Sequence, residues 1–74
     1  MHHLPSLSPK KIIKILEKAG FVIDHYRGSH AYLESKERGS RTHVAIHGED
    51  VSRALLKTIL KQAKISVEEF LELL

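Results

Sequence analysis

The stretch Phe21-Val22-Ile23-Asp24-His25-Tyr26-Arg27-Gly28-Ser29-His30-Ala31-Tyr32-Leu33-Glu34 decides the fold. Phe21 to Tyr26 is rich in β-branched and aromatic residues, and His30 to Glu34 reads as a returning strand. Arg27-Gly28-Ser29 between them is a short turn with the glycine such turns favour. Downstream, Ser35 to Ser40 is polar and contains Gly39, so it reads as a second hairpin loop. Arg41 to His47 makes a third strand, and Gly48-Glu49-Asp50 breaks the pattern. Three antiparallel strands are therefore expected in the middle of the chain.

Helices flank them. Ser8 is placed as an N-cap and Pro9 as the first helical residue, where its missing N–H costs nothing. Ile12, Ile15, Leu16 and Ala19 recur at helical spacing, with Ile13 at the margin of the stripe. Gly20 is placed to stop this helix with positive φ. A second helix starts near Ser52 and carries the stripe Leu55, Leu56, Ile59, Leu60 and Ala63. Ser66-Val67-Glu68-Glu69 has the form of a capping box, and Ile65 and Phe70 are spaced as a hydrophobic staple, so a short last helix follows. Helix, three strands, helix and short helix make an α+β domain with the helices on one face of a three-stranded antiparallel sheet. The order matches a double-stranded-RNA-binding-like fold, which does not by itself imply function.

Alternation along the strands sorts side chains by face. Ala31 and Leu33 point one way, and His30, Tyr32 and Glu34 the other. Thr42, Val44 and Ile46 point one way, and Arg41, His43, Ala45 and His47 the other. The apolar sets should meet the helices. His30, Tyr32, Arg41, His43 and His47 should then share the uncovered face, unless a bulge intervenes.

Composition bounds the rest. The 74 residues allow one domain, 1–74, in which residues 1–7 are expected to be disordered and His2 and His3 carry no functional weight. The absence of cysteine removes disulfides and thiolate zinc sites, and suits a reducing, cytoplasmic setting. No apolar run approaches the roughly 20 residues of a membrane helix, and the start Met1-His2-His3-Leu4-Pro5 lacks the regions of a signal peptide. The net charge of +3 is uneven. Residues 1–47 hold eight Lys/Arg against four Asp/Glu, and residues 48–74 hold four against five. A basic excess over the first two-thirds makes nucleic acid a natural partner class.

Among side chains with chemistry, histidines dominate: His25, His30, His43 and His47. No carboxylate pair, phosphate loop or serine-hydrolase elbow is legible. An imidazole titrates near neutral pH and can take or give a proton there. Cleavage of RNA needs a base for the 2′-hydroxyl, an acid for the leaving 5′-oxygen, and positive charge on the phosphate. His30, with Arg27 and Lys36 nearby in sequence and the turn N–H groups of Gly28 and Ser29, offers these parts without a metal. Arg27, Lys36 and Arg41 are candidate phosphate contacts. His43 and His47 are candidates for the second proton-transfer group, or ordinary residues of a solvated face. Tyr32 could stack an RNA base or pack across strands. A histidine zinc site is a weaker option, and no metal or cofactor is expected. The residues alone leave His30 one histidine among several.

Several pieces together resemble the HicA family of small toxins from prokaryotic toxin–antitoxin pairs, over Ser8 to Leu74. They are Lys11-Ile12-Ile13-Lys14-Ile15-Leu16-Glu17-Lys18-Ala19-Gly20-Phe21, Arg27-Gly28-Ser29-His30, Val44-Ala45-Ile46-His47, and Leu56 to Ala63 followed by Ile65-Ser66. The resemblance implies a double-stranded-RNA-binding-like fold, a metal-independent mRNA endoribonuclease acting in stress responses, and His30 as its catalytic residue. It makes Gly28 and Ser29 the neighbours that shape the turn, gives His47 a supporting role, and implies a HicB-type antitoxin that covers the active site. The sequence departs from many relatives at Pro9 and Lys64, where glycine is usual, at Ala45, where proline is usual, at Ala31, where a second histidine or similar residue is common, and at Arg53-Ala54. The alternative on the same fold is a non-catalytic RNA-binding module. Its duplex-binding surface would need basic residues near the start of the second helix; Arg53 and Lys57 stand there, diluted by Glu49 and Asp50.

Overall fold

The computed structural model describes residues 4–46 and 48–74. Helix α1 (Pro9–Lys18) leads into strands β1 (Val22–Arg27), β2 (His30–Ser35) and β3 (Ser40–Ala45), followed by helices α2 (Arg53–Ala63) and α3 (Val67–Glu72). The strands form one antiparallel sheet in the order β1-β2-β3. The architecture is the expected α+β arrangement.

The helix ends follow from local chemistry. Ser8, Ser52 and Ser66 each accept a hydrogen bond from the backbone N–H three residues on, at Lys11, Leu55 and Glu69. Each thereby satisfies one of the donors a helix leaves open at its start. Gly20 adopts φ 100° directly after α1 and turns the chain toward β1. The exit of α2 solves the same problem without glycine. Lys64 takes the left-handed conformation, φ 62° and ψ 40°, and Ile65 N–H closes onto the Leu60 carbonyl at 3.0 Å. An L-residue in that region carries a steric cost of about 1–2 kcal/mol. Lys64→Gly should therefore raise stability by about 0.5–1 kcal/mol, once the extra freedom of the unfolded chain is subtracted. For a domain of this size, that corresponds to a gain of roughly 2–8 °C in Tm by calorimetry. An unchanged or lower Tm would contradict this account of the helix exit.

The core lies between the sheet and the helices. Ile12, Ile15 and Leu16 of α1, Ala31, Leu33 and Val44 of the sheet, Leu56, Ile59, Leu60 and Ala63 of α2, and Phe70 of α3 are buried together with Phe21. Leu55, placed by spacing in the α2 stripe, is instead 48% exposed. Three hydroxyls are buried with partners: Ser35 accepts from the Arg38 N–H at 3.2 Å, while from β3 Ser40 donates to the Ala63 carbonyl at 2.7 Å, and Thr42 to the Ile59 carbonyl at 3.3 Å or the Gln62 side-chain oxygen at 3.0 Å. The bonds from Ser40 and Thr42 tie β3 to α2, and no buried polar side-chain atom is left unpaired among the described residues.

Two expectations need correction. Residues 1–7 were expected to be disordered, yet the described part of that segment is docked. Leu4 is buried, Leu7 bridges to Val51 through a 2.8 Å N–H···O bond, and Ser6 donates to the Val51 carbonyl. An apolar anchor and a short backbone bridge order it; residues 1–3 lie outside the described residues. The capping box at Ser66 is only half made. Ser66 caps α3, but the Glu69 carboxylate is taken by Arg38, whose guanidinium forks onto both its oxygens. Arg38 Nε also donates to the Ala19 carbonyl at 3.2 Å. One side chain on the β2–β3 loop thus links the end of α1 to the start of α3, and a charged fork outcompetes the weaker return bond of a capping box.

Candidate active site

The β1–β2 connection is a two-residue turn, since Arg27 pairs directly with His30. Gly28 has φ 58°, as the first central residue of a primed hairpin turn requires. A Cβ at Gly28 would meet no heavy atom within 4 Å, so the backbone angle alone makes glycine suitable there. The Ser29 carbonyl accepts from Ile46 N–H at 2.6 Å, which clamps the turn to the end of β3. His30 is therefore the first residue of the central strand, on a turn held from both sides.

The alternation read from β2 and β3 holds. Burial along β2 and β3 alternates strictly up to Val44: Ala31, Leu33, Thr42 and Val44 are buried under the helices, and His30, Tyr32, Glu34, Arg41 and His43 face away. Cross-strand register sets His30 against Ala45, Tyr32 against His43, and Glu34 against Arg41. His47, expected on this face, lies outside the described residues.

Strand β1 adds what spacing could not. Ile23 pairs with Leu33 on the covered face, and two residues later His25 pairs with Tyr32 on the open face. The register slips between them, so Asp24 is an extra residue in a β-bulge. Simple alternation from Ile23 would have sent His25 under the helices. The Asp24 carboxylate accepts a hydrogen bond from His25 Nδ1–H at 2.8 Å, which in the neutral ring leaves Nε2 as the acceptor.

Four rings consequently cluster on the open face. Tyr32 stacks on His25 with centroids 4.7 Å apart and planes 4° from parallel, and on His43 at 5.2 Å and 24°. His30 stands edge-on to His43 at 5.5 Å and to Tyr32 at 6.5 Å. Arg27 lies beside His30 across the β1–β2 pair and is exposed.

The other basic residues are farther away. Lys36 follows Ser35, six residues along from His30, so at about 3.3 Å per strand residue it lies roughly 20 Å off at the opposite end of the sheet. Its nearness in sequence is undone because an extended chain carries it away. Arg41 pairs with Glu34 at 3.1 Å, four residues or roughly 13 Å from His30. A shallow depression of about 510 Å3 beside the ring cluster is lined by Tyr32, Arg41, Thr42, His43 and Gln62. Another, of about 500 Å3, lies beyond Ala45 and is lined by Val51, Ser52 and Leu55 with Glu49 and Asp50. Among the described residues, no three His, Asp or Glu side chains converge as metal ligands, and no helix is long and apolar enough to cross a membrane.

A family model described as the HicA toxin of bacterial toxin–antitoxin systems matches residues 9–65. That span runs from the first residue of α1 to Ile65, just past α2, and includes the whole sheet. A search of curated proteins found no match to the chain.

Proposed function

Because the chain belongs to the HicA family of toxins from bacterial toxin–antitoxin systems, we propose that it is a metal-independent endoribonuclease that cleaves single-stranded mRNA at the open face of its sheet. The observation that carries this reading is the edge-on pair of imidazoles, His30 and His43, 5.5 Å apart beside Arg27. Two imidazoles at that separation can serve both sides of one phosphate. One takes the 2′-hydroxyl proton as the 2′-oxygen attacks phosphorus. The other gives a proton to the 5′-oxygen as its bond to phosphorus breaks. The products are a 2′,3′-cyclic phosphate and a free 5′-hydroxyl.

In this mechanism Arg27 supplies positive charge where the phosphate oxygens gain negative charge in the transition state. Gly28 and Ser29 set the turn that presents His30. His43 is the second proton-transfer group; His47, outside the described residues, is the competing assignment. Arg41 contacts the strand at a more distant phosphate, after exchanging its carboxylate partner Glu34, and Lys36 falls outside the immediate site. The depression bearing Arg41 and His43 favours a polyanion, whereas the one rimmed by Glu49 and Asp50 repels it. The RNA path accordingly runs from His30 across His43 to the free side of β3. The partner is an antitoxin of the HicB type that covers this face in the cytoplasm.

The direct test is incubation of single-stranded RNA with the purified protein in EDTA, followed by analysis of the product ends. Fragments ending in 2′,3′-cyclic phosphate and 5′-hydroxyl are expected. Salt-sensitive binding without scission would instead establish a non-catalytic RNA-binding module.

A further inference from the structure

Of the two roles expected for Tyr32, stacking an RNA base or packing across strands, its neighbours favour the second. His25 covers one face of the phenol ring and His43 the other, at 4.7 and 5.2 Å. A base can reach only its edge and hydroxyl. The three rings come from three different strands, so the stack runs across the sheet. It is anchored at one end, where Asp24 in the bulge holds His25 through Nδ1. At the other end it meets His30, which stands at 77° to His43 and 85° to Tyr32.

An exposed histidine on an edge strand ordinarily samples several χ1 wells and a broad χ2. His43 is such a residue: it lies on β3, at the edge of the sheet, and is exposed. Stacking on a ring that is itself clamped from behind selects one orientation for it. We propose that Tyr32 is a positioning residue, sandwiched between His25 and His43, that holds the His43 imidazole edge-on to His30. The inference rests on the ribonuclease reading for its catalytic consequence, but the positioning is a property of the free protein. What matters is the flat ring of Tyr32, and its hydroxyl takes no part in proton transfer. His25 acts from behind as a clamp and does not touch the substrate.

The test compares Tyr32→Phe, which keeps the ring, with Tyr32→Leu, which removes it. Tyr32 lies on the solvent side of the sheet, opposite the core, and both variants should fold. In RNA-free protein, nuclear Overhauser contacts between the ring protons of His43 and His30, together with the ring-current shifts of His25 and His43, should survive in Tyr32→Phe and vanish in Tyr32→Leu. In the RNA assay, Tyr32→Leu should cleave about 10–100-fold more slowly, the scale of loss for a displaced catalytic group, and Tyr32→Phe should restore the rate to within about 3-fold of wild type. Retained His30–His43 contacts in Tyr32→Leu would overturn the proposal. So would a Tyr32→Phe rate as low as that of Tyr32→Leu, because the hydroxyl would then be the active part. If wild type itself leaves RNA intact, the ribonuclease reading fails, and the ring contacts of the two variants still decide whether Tyr32 positions His43.

Discussion

Replacing His30 by alanine is expected to slow RNA cleavage by about 10²–10⁴-fold, the usual worth of one general acid–base group. Each factor of ten is about 1.4 kcal/mol of barrier, so the loss corresponds to roughly 3–5 kcal/mol of transition-state stabilisation. His30 is half-buried at the mouth of the β1–β2 turn and contributes nothing to the apolar core. The variant should therefore keep the circular dichroism spectrum and melting temperature of the wild type, which separates a chemical loss from an unfolded protein. Growth arrest on expression in a bacterial host should be relieved in parallel. A residual rate is expected, because Arg27 and the second histidine remain in place. If His30→Ala cleaves single-stranded RNA in EDTA as fast as wild type, the proposed catalytic role of His30 is wrong.

The other large effect is on stability. Phe70→Ala should cost about 3–5 kcal/mol, as truncation of a fully buried phenylalanine generally does. At roughly 0.05–0.15 kcal/mol per residue, a chain of 74 residues has only about 4–11 kcal/mol in total. One side chain would thus remove about a quarter or more of the stability, or all of it. Phe70 is completely buried and belongs to the same core cluster as Leu56, Leu60 and Ile65. It also holds α3 in the position from which Glu69 receives Arg38, so its loss frees the far hairpin loop as well. Urea unfolding should show the midpoint collapsing, while Leu74→Ala, at a position 45% exposed, should shift it by less than about 0.5 kcal/mol. A small effect of Phe70→Ala would mean that α3 is an appendage. The point is informative because α3 lies beyond the 9–65 span shared with the toxin family.

The contrast between these two positions reflects how each became legible. Phe70 could be read from Ser66 and Ile65, because a cap and a staple involve residues within one turn of each other. His30 could be placed on the open face from alternation alone, because β2 and β3 pair without interruption. Its chemical importance could not be read that way. From the residues alone it is one histidine among several, and the family resemblance raises it above the others. On β1 the two-residue period fails, because the Asp24 bulge carries His25 to the face that regular alternation would deny it. Lys36 is near the turn motif in sequence, but the straightness of a strand takes it to the other end of the sheet from His30.

By itself, then, the sequence determined the order of elements, three serine-capped helix starts, the positive φ of Gly20, the tight turn at Gly28, and the sorting of His30, Tyr32, Arg41 and His43 onto one face. All of these depend on contacts a few residues apart or on the two-residue period of a strand. Tertiary structure alone decided the bulge at Asp24, the ring stack through Tyr32, the docking of residues 4–7 on Val51, and the capture of Glu69 by Arg38. Each joins groups from separate elements, and its outcome rests on which partner arrives there. The Glu69 carboxylate could have returned to its own helix start, but a forked guanidinium delivered by the β2–β3 loop binds it more strongly.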